Sequence, residues 1–145
     1  MTRAGWHRDF LRPACWPVRG SDTEQLALLD GLRRMLIAGG LLILDVMNPV
    51  WIFGNYQASA VAEIGGMPYR FDRHYDVAEG RSRGSVVAAC APGDPVGHDI
   101  RLYTAPEVRR LLTEAGLKVE AIDADFEVAE PVSRQSRYLQ FVARR

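Results

Sequence analysis

The sequence predicts an α/β fold: part of a parallel-type sheet, interrupted by an inserted antiparallel meander. Three observations predict it. Residues 41–46, "LLILDV", are apolar on both faces apart from Asp45, the pattern of a strand covered by helices on both sides. Two stretches with helical periodicity each end on glycine just before a strand-like run, the expected punctuation of helix-to-strand connections. Between them, "YRFDRHYDV" alternates polar and apolar residues, as a half-buried strand does.

The first helix is expected to start at Ser21, where Ser21-x-x-Glu24 forms a capping box. The hydroxyl accepts from the Glu24 amide and the carboxylate reaches back. Leu26, Leu29, Leu32, Met35 and Leu36 then recur at helical spacing. Arg33 and Arg34 lie in the last turns, where cations suit the helix dipole. Gly39 and Gly40 are expected to supply the left-handed cap and the turn into the buried strand. Ligands in such sheets bind beyond the carboxyl ends of the strands, so residues 45–51 lie where a ligand edge is expected.

Residues 49–68 read as an irregular functional loop or lid, too long for a simple connection. In the alternating strand that follows, Tyr69, Phe71, Tyr75 and Val77 share one face, with Arg73 the exception. Arg70, Asp72, His74 and Asp76 share the other. Glu79-Gly80 turns the chain, "GSVVAAC" is a second strand, "PGDP" a second turn and "HDIRLYT" a third strand. Thr104-x-x-Glu107 is a second capping box with Pro106 in the first turn. Val108, Leu111, Leu112 and Ala115 form the buried stripe of this helix, and Gly116 ends it. "LKVEAI" and "SRYLQFVARR" complete the strands, with Leu139, Phe141 and Ala143 facing one way.

Composition narrows the functional classes. The chain has 145 residues, 48% of them hydrophobic and 25% charged, with 18 Lys plus Arg against 18 Asp plus Glu. A formal net charge of zero offers no field for nucleic acid. No apolar run approaches the roughly 18 residues of a membrane span. Cys15 and Cys90 are far apart and outside any CxxC motif. They read as free thiols of a cytoplasmic protein rather than a disulfide framework, and no metal-ligand spacing is present. Residues 1–20, rich in Arg, Trp and Pro, lack the apolar stretch of a secretory signal. They read as a divergent or disordered leader before a domain at 21–145, in which 49–103 form the inserted lid and meander.

The order of these elements resembles the C-terminal half of a class I S-adenosylmethionine-dependent methyltransferase. "LLDGLRRMLIAGGLLILDVMNP" resembles the family's helix, its "LkpGG" turn and its fifth strand. "HDIRLYTAPEVRRLLTEAGLKVEAI" resembles its R-x-(Y/F)-T-x-x-E-(L/V) stretch, where a helix ends at an "aGl" turn before the sixth strand. "SRYLQFVARR" resembles the antiparallel seventh strand, which lies between the fifth and the sixth. The resemblance implies a Rossmann-like sheet, S-adenosylmethionine as methyl donor, no metal and a small-molecule acceptor. The departure is equally specific. The family holds the donor on a glycine-rich loop after its first strand, where glycines let the backbone approach the ligand. This sequence contains no such loop, so its catalytic and donor-binding residues are not readable, and activity on its own is expected to be weak or lacking. The alternatives are a non-catalytic interaction module, pairing with a second copy or with a complete methyltransferase, and a truncated gene product. "DFLRPACWPV" is the one segment offering to cover the open edge of "LLILDV", and its prolines allow only brief edge pairing.

The candidate substrate-binding residues are Asn48, Trp51, Tyr56, Arg70, Arg101 and Tyr103. The resemblance turns Asn48 toward the acceptor pocket, whereas Asn-Pro by itself is turn chemistry. Trp51 and Tyr56 either line a pocket or plug the lid onto the core. Arg101 and Tyr103 share a face. Arg101 either grips a substrate carboxylate or pairs with Asp99 or Glu107. Arg70 shares a polar face with His74, which is either a general base or part of a solvated surface.

Overall fold

The computed structural model describes residues 10–11, 20–89, 93–125 and 131–145. Cys15, Cys90 and most of the leader lie outside the described residues. A two-residue strand β1 (Phe10–Leu11) precedes helix α1 (Asp22–Met35) and strand β2 (Leu41–Met47). A short helix α2 (Pro49–Gly54) leads into four strands, β3 (Ser59–Ile64), β4 (Met67–Asp76), β5 (Arg81–Ala88) and β6 (Val96–Arg101). Helix α3 (Ala105–Glu114), β7 (Lys118–Ala124) and β8 (Tyr138–Arg144) follow.

The strands form two sheets. One has the order β1-β2-β8-β7, with β1 parallel to β2 and β8 antiparallel to both of its neighbours. β8 therefore sits between β2 and β7, the order expected for the last three strands. The second sheet is the antiparallel meander β3-β4-β5-β6.

Alternation along β2 and β8 builds the core. Leu42, Leu44 and Val46 stand opposite Ala143, Phe141 and Leu139, and all six are buried. Leu29 of α1 and Val108, Leu111 and Leu112 of α3 join the same cluster, so both long helices cover one face of the sheet. The expected cover on both faces is not seen among the described residues, where Ile43 and Val142 on the second face are half-buried.

The helix ends follow local chemistry. The Ser21 backbone amide donates to the Glu24 carboxylate at 2.7 Å, and the Glu24 amide donates to the Ser21 hydroxyl at 3.3 Å. α1 stops at Met35 with Leu36 as an extended C-cap, so Gly39, at φ 78°, shapes the loop rather than the cap. Met35 is more than half exposed and does not belong to the buried stripe. α3 ends as expected: Gly116 has φ 81°, its amide donates to the Thr113 carbonyl, and the Leu117 amide donates to that of Leu112, the paired bonds of a Schellman motif.

The segment 49–68 departs most from expectation. It holds α2 and β3, not an irregular loop, so the meander has four strands rather than three. Gly65 and Gly66 both have positive φ between β3 and β4, as a two-residue type I′ hairpin requires. β3 lacks an alternating pattern because nearly all of it is exposed. Val77 falls beyond the end of β4 and is exposed, not on the strand's apolar face.

Candidate functional site

A cavity of about 400 Å³ opens where the carboxyl end of β2 meets α2 and one face of the meander. Met47 ends β2 at its wall. Trp51, Ile52, Phe53, Asn55 and Tyr56 come from α2 and the residues just after it. Phe71, Arg73 and Tyr75 come from β4, and Ser82 and Val86 from β5. His98 and Ile100 of β6 complete the meander side, with Leu102 just beyond and Arg137 just before β8. The size and the mixed aliphatic and aromatic lining suit a small molecule.

Local bonds fix the shape. The Tyr56 hydroxyl donates to the Arg73 carbonyl at 2.9 Å, and the Arg73 amide donates to the Ala58 carbonyl at 2.7 Å. These ties hold the segment after α2 against β4. Phe53 and Tyr75 meet edge to face at 4.7 Å between centroids. The Arg73 guanidinium carbon lies 5.5 Å from the centre of the Phe71 ring. That of Arg137 lies 5.2 Å from Trp51 and 5.4 Å from Tyr138. Among the described residues, no Asp or Glu lines the cavity.

Gly84 makes the meander face possible. It lies opposite Arg73 on β4 and His98 on β6. A Cβ there would stand 2.0 Å from the Asp72 carbonyl oxygen and 2.7 Å from His98 Cε1. His98, the first residue of the expected third strand, lies inside β6 and reaches the cavity wall.

The six candidate residues separate clearly. Trp51 and Tyr56 line the cavity. Asn48 does not. It is buried and caps α2, its side-chain oxygen accepting from the Val50 amide at 3.0 Å. Its amide nitrogen donates to the Ser136 carbonyl at 2.8 Å and to that of Ser133 at 3.2 Å. Arg70 points to Asp72, 3.2 Å away at the surface. Arg101 donates to Glu107 at 2.8 Å and to the Gly80 carbonyl at 3.2 Å, tying the β4–β5 turn to the start of α3. Tyr103 is buried, with its hydroxyl donating to Asp22 at 2.7 Å; burial and that carboxylate push its ionisation well up. His74 is exposed and outside the cavity. Asp45 is buried inside β2 and accepts from the Gln140 side chain at 2.9 Å.

Arg73 and Arg137 are the two arginines of the lining, and neither is among the six candidates. Arg73 left a signal: it is the one cation on an otherwise apolar strand face. Arg137 left none, because its position at the cavity depends on β8 running back beside β2. Among the described residues, no group of three His, Cys, Asp or Glu is arranged to hold a metal. None of their helices is long and apolar enough to cross a membrane.

The sheet order, the inserted meander and the cavity at the end of β2 define an architecture: the fold of the S-adenosylmethionine-dependent methyltransferases. It is shared with a solved S-adenosylmethionine-dependent methyltransferase from Clostridium acetobutylicum, at a TM-score of 0.77 and 10% identity, over 94% of this chain and 57% of that one. The CcbJ methyltransferase from Streptomyces caelestis matches at 0.73 and 19% identity, over 93% of this chain and 58% of its own. CalS10, an amino pentose methyltransferase from Micromonospora echinaspora, matches at 0.61 and 17%, over 94% and 58%. The chain thus spans less than two thirds of each of these proteins, and at such identities the likeness is one of fold. No family model and no curated protein matches the chain.

Proposed function

We propose that this chain is the acceptor-side portion of an S-adenosylmethionine-dependent methyltransferase acting on a small molecule. One observation carries the reading: the aromatic cavity stands at the carboxyl end of β2, where open α/β sheets bind ligands. Methyl transfer needs little beyond alignment of nucleophile, methyl carbon and sulfur, so positioning is the main task of such a site. Trp51 and Tyr56 would form the walls against which the acceptor is placed. No glycine-rich donor loop occurs in these 145 residues, so the chain alone is a weak or inactive methyltransferase under this reading. The sheet order and the fold neighbours support it.

The test is titration calorimetry with S-adenosylmethionine and S-adenosylhomocysteine, paired with a small-molecule screen read by the Trp51 indole resonance. Screen hits without donor binding fit the acceptor-side reading. Donor binding near micromolar, about −8 kcal/mol, would put a donor site on this chain or its oligomer. A folded protein that gives no donor heat and no Trp51 shift with any compound would sink the reading.

The edge of β2 favours a second reading, that of a non-catalytic module that pairs with another chain. Among the described residues β1 pairs only with Leu41 and Leu42, and no strand borders that edge at 43–47. An uncovered edge is a template for pairing. Under this reading sedimentation shows a dimer or a complex with a complete methyltransferase; a sharp monomer with a cooperative melt argues against it.

A further inference from the structure

The cavity's charge is one-sided. Arg73 and Arg137 both line it, and neither meets a carboxylate among the described residues. Arginines elsewhere in the protein are generally tied down: Arg70 to Asp72 on the opposite face of the same strand, Arg101 to Glu107, Arg144 to Glu120. The two cavity arginines instead rest on aromatic rings, Arg73 on Phe71 and Arg137 on Trp51 and Tyr138. Such stacking occupies the face of the guanidinium and leaves its in-plane N–H groups for an oxyanion. Arg73 is half-buried and Arg137 exposed, so both guanidiniums are within reach of a ligand that brings the negative charge.

We infer that the cavity takes a planar, ring-bearing small molecule that carries an oxyanion, with Arg73 and Arg137 holding the anion and Trp51, Phe71 and Tyr75 holding the ring. This deepens, and rests on, the reading of the cavity as a methyl-acceptor site. It narrows the acceptor to aryl carboxylates or aryl phosphates, which share the oxyanion. Bidentate N–H contacts to either group are charge-assisted and directional.

The experiment uses the full chain and three probes of one shape: 2-naphthoate, neutral 2-naphthamide and 2-naphthyl phosphate, each titrated against the Trp51 indole resonance. An anion is expected to bind about tenfold or more tightly than the amide, the tighter of the two identifying the head group. Arg73→Gln and Arg137→Gln should each lose about tenfold for the anions while naphthamide stays within about twofold. Both variants are checked by far-ultraviolet circular dichroism. Neither side chain carries a structural ion pair among the described residues, so at least one is expected to fold for the test. Equal affinities for anion and amide, or anion affinities unmoved in a folded variant, overturn the inference. If every probe binds alike, only the anion preference fails and the acceptor-site reading survives. If no probe shifts Trp51 while other compounds do, this ligand class is wrong; if nothing shifts it, both fall.

Discussion

Asn48 shows how much one side chain can be asked to do. Its oxygen caps α2, and its amide nitrogen reaches two carbonyls more than 80 residues along the chain. It therefore sets where the cavity helix begins and ties that start to the turn before β8. Asn48→Ala removes all three bonds and should cost about 2–3 kcal/mol. Asn48→Asp is the sharper variant. It keeps a cap acceptor but faces two carbonyl oxygens with an anion, and it should be at least as unstable as the alanine form. Urea unfolding measures both, and an Asn48→Asp variant as stable as the parent chain would mean that the cap alone matters. The turn chemistry of Asn-Pro was legible in the sequence. The long-range half of the bonding was not, because nothing in an Asn-Pro pair announces Ser133 or Ser136. Gly84 is the other residue with a decisive local role. Its missing Cβ lets β4 and β6 approach the middle of β5. The clash in Gly84→Ala is with backbone, which cannot swing aside, so a loss of about 3 kcal/mol or more is expected. Loss of cooperative unfolding in the meander would register it.

At the scale of elements, what the sequence revealed depended on how local the cause was. Both capping boxes, the glycine end of α3 and the strand character of β2 and β8 come from neighbours within a few residues, and each was readable. β3 was hidden because an exposed strand has no apolar period to display. α2 was hidden because six residues make less than two turns, too few for a helical stripe. The site shows the same divide. Trp51 and Tyr56 stood out as aromatics in a segment read as a loop. Arg101 and Tyr103 looked like site residues because an arginine beside a tyrosine on one strand face suits ligand binding. They serve instead to join the meander and α1 to the start of α3, while their neighbours Ile100 and Leu102 face the cavity. That contact has a testable size. Tyr103→Phe keeps the buried ring and loses the bond to Asp22, so it should cost about 1 kcal/mol, read from the urea midpoint.

At the scale of the molecule, acid stability follows from the surface carboxylates. The Glu79 amide and Arg83 hold Asp76 below the ordinary carboxylate range. Arg81 does the same for Asp99, the Ser21 amide and hydroxyl for Glu24, and Arg144 for Glu120. A carboxylate with a depressed folded-state pKa stabilises the fold above its unfolded value, and that stability is lost as pH falls through the folded value. The melting temperature should therefore hold from neutral pH to about 5 and fall steadily below about 4.5. A melting temperature flat down to pH 3 would show that these pairs contribute nothing. The two sheets also differ in how far apart in sequence their partners lie. Each strand of the meander pairs with its successor in the chain, β3 with β4 across only Gly65-Gly66. β2 must wait for β8, whose Gln140 lies 95 residues from its partner Asp45. Closing so long a loop is slow relative to closing a hairpin. During refolding the face that carries the cavity's arginine and aromatics should thus be protected early in pulsed hydrogen exchange, and the helix-backed sheet late. The cavity wall is then made first, and it is the scaffold that arrives to meet it.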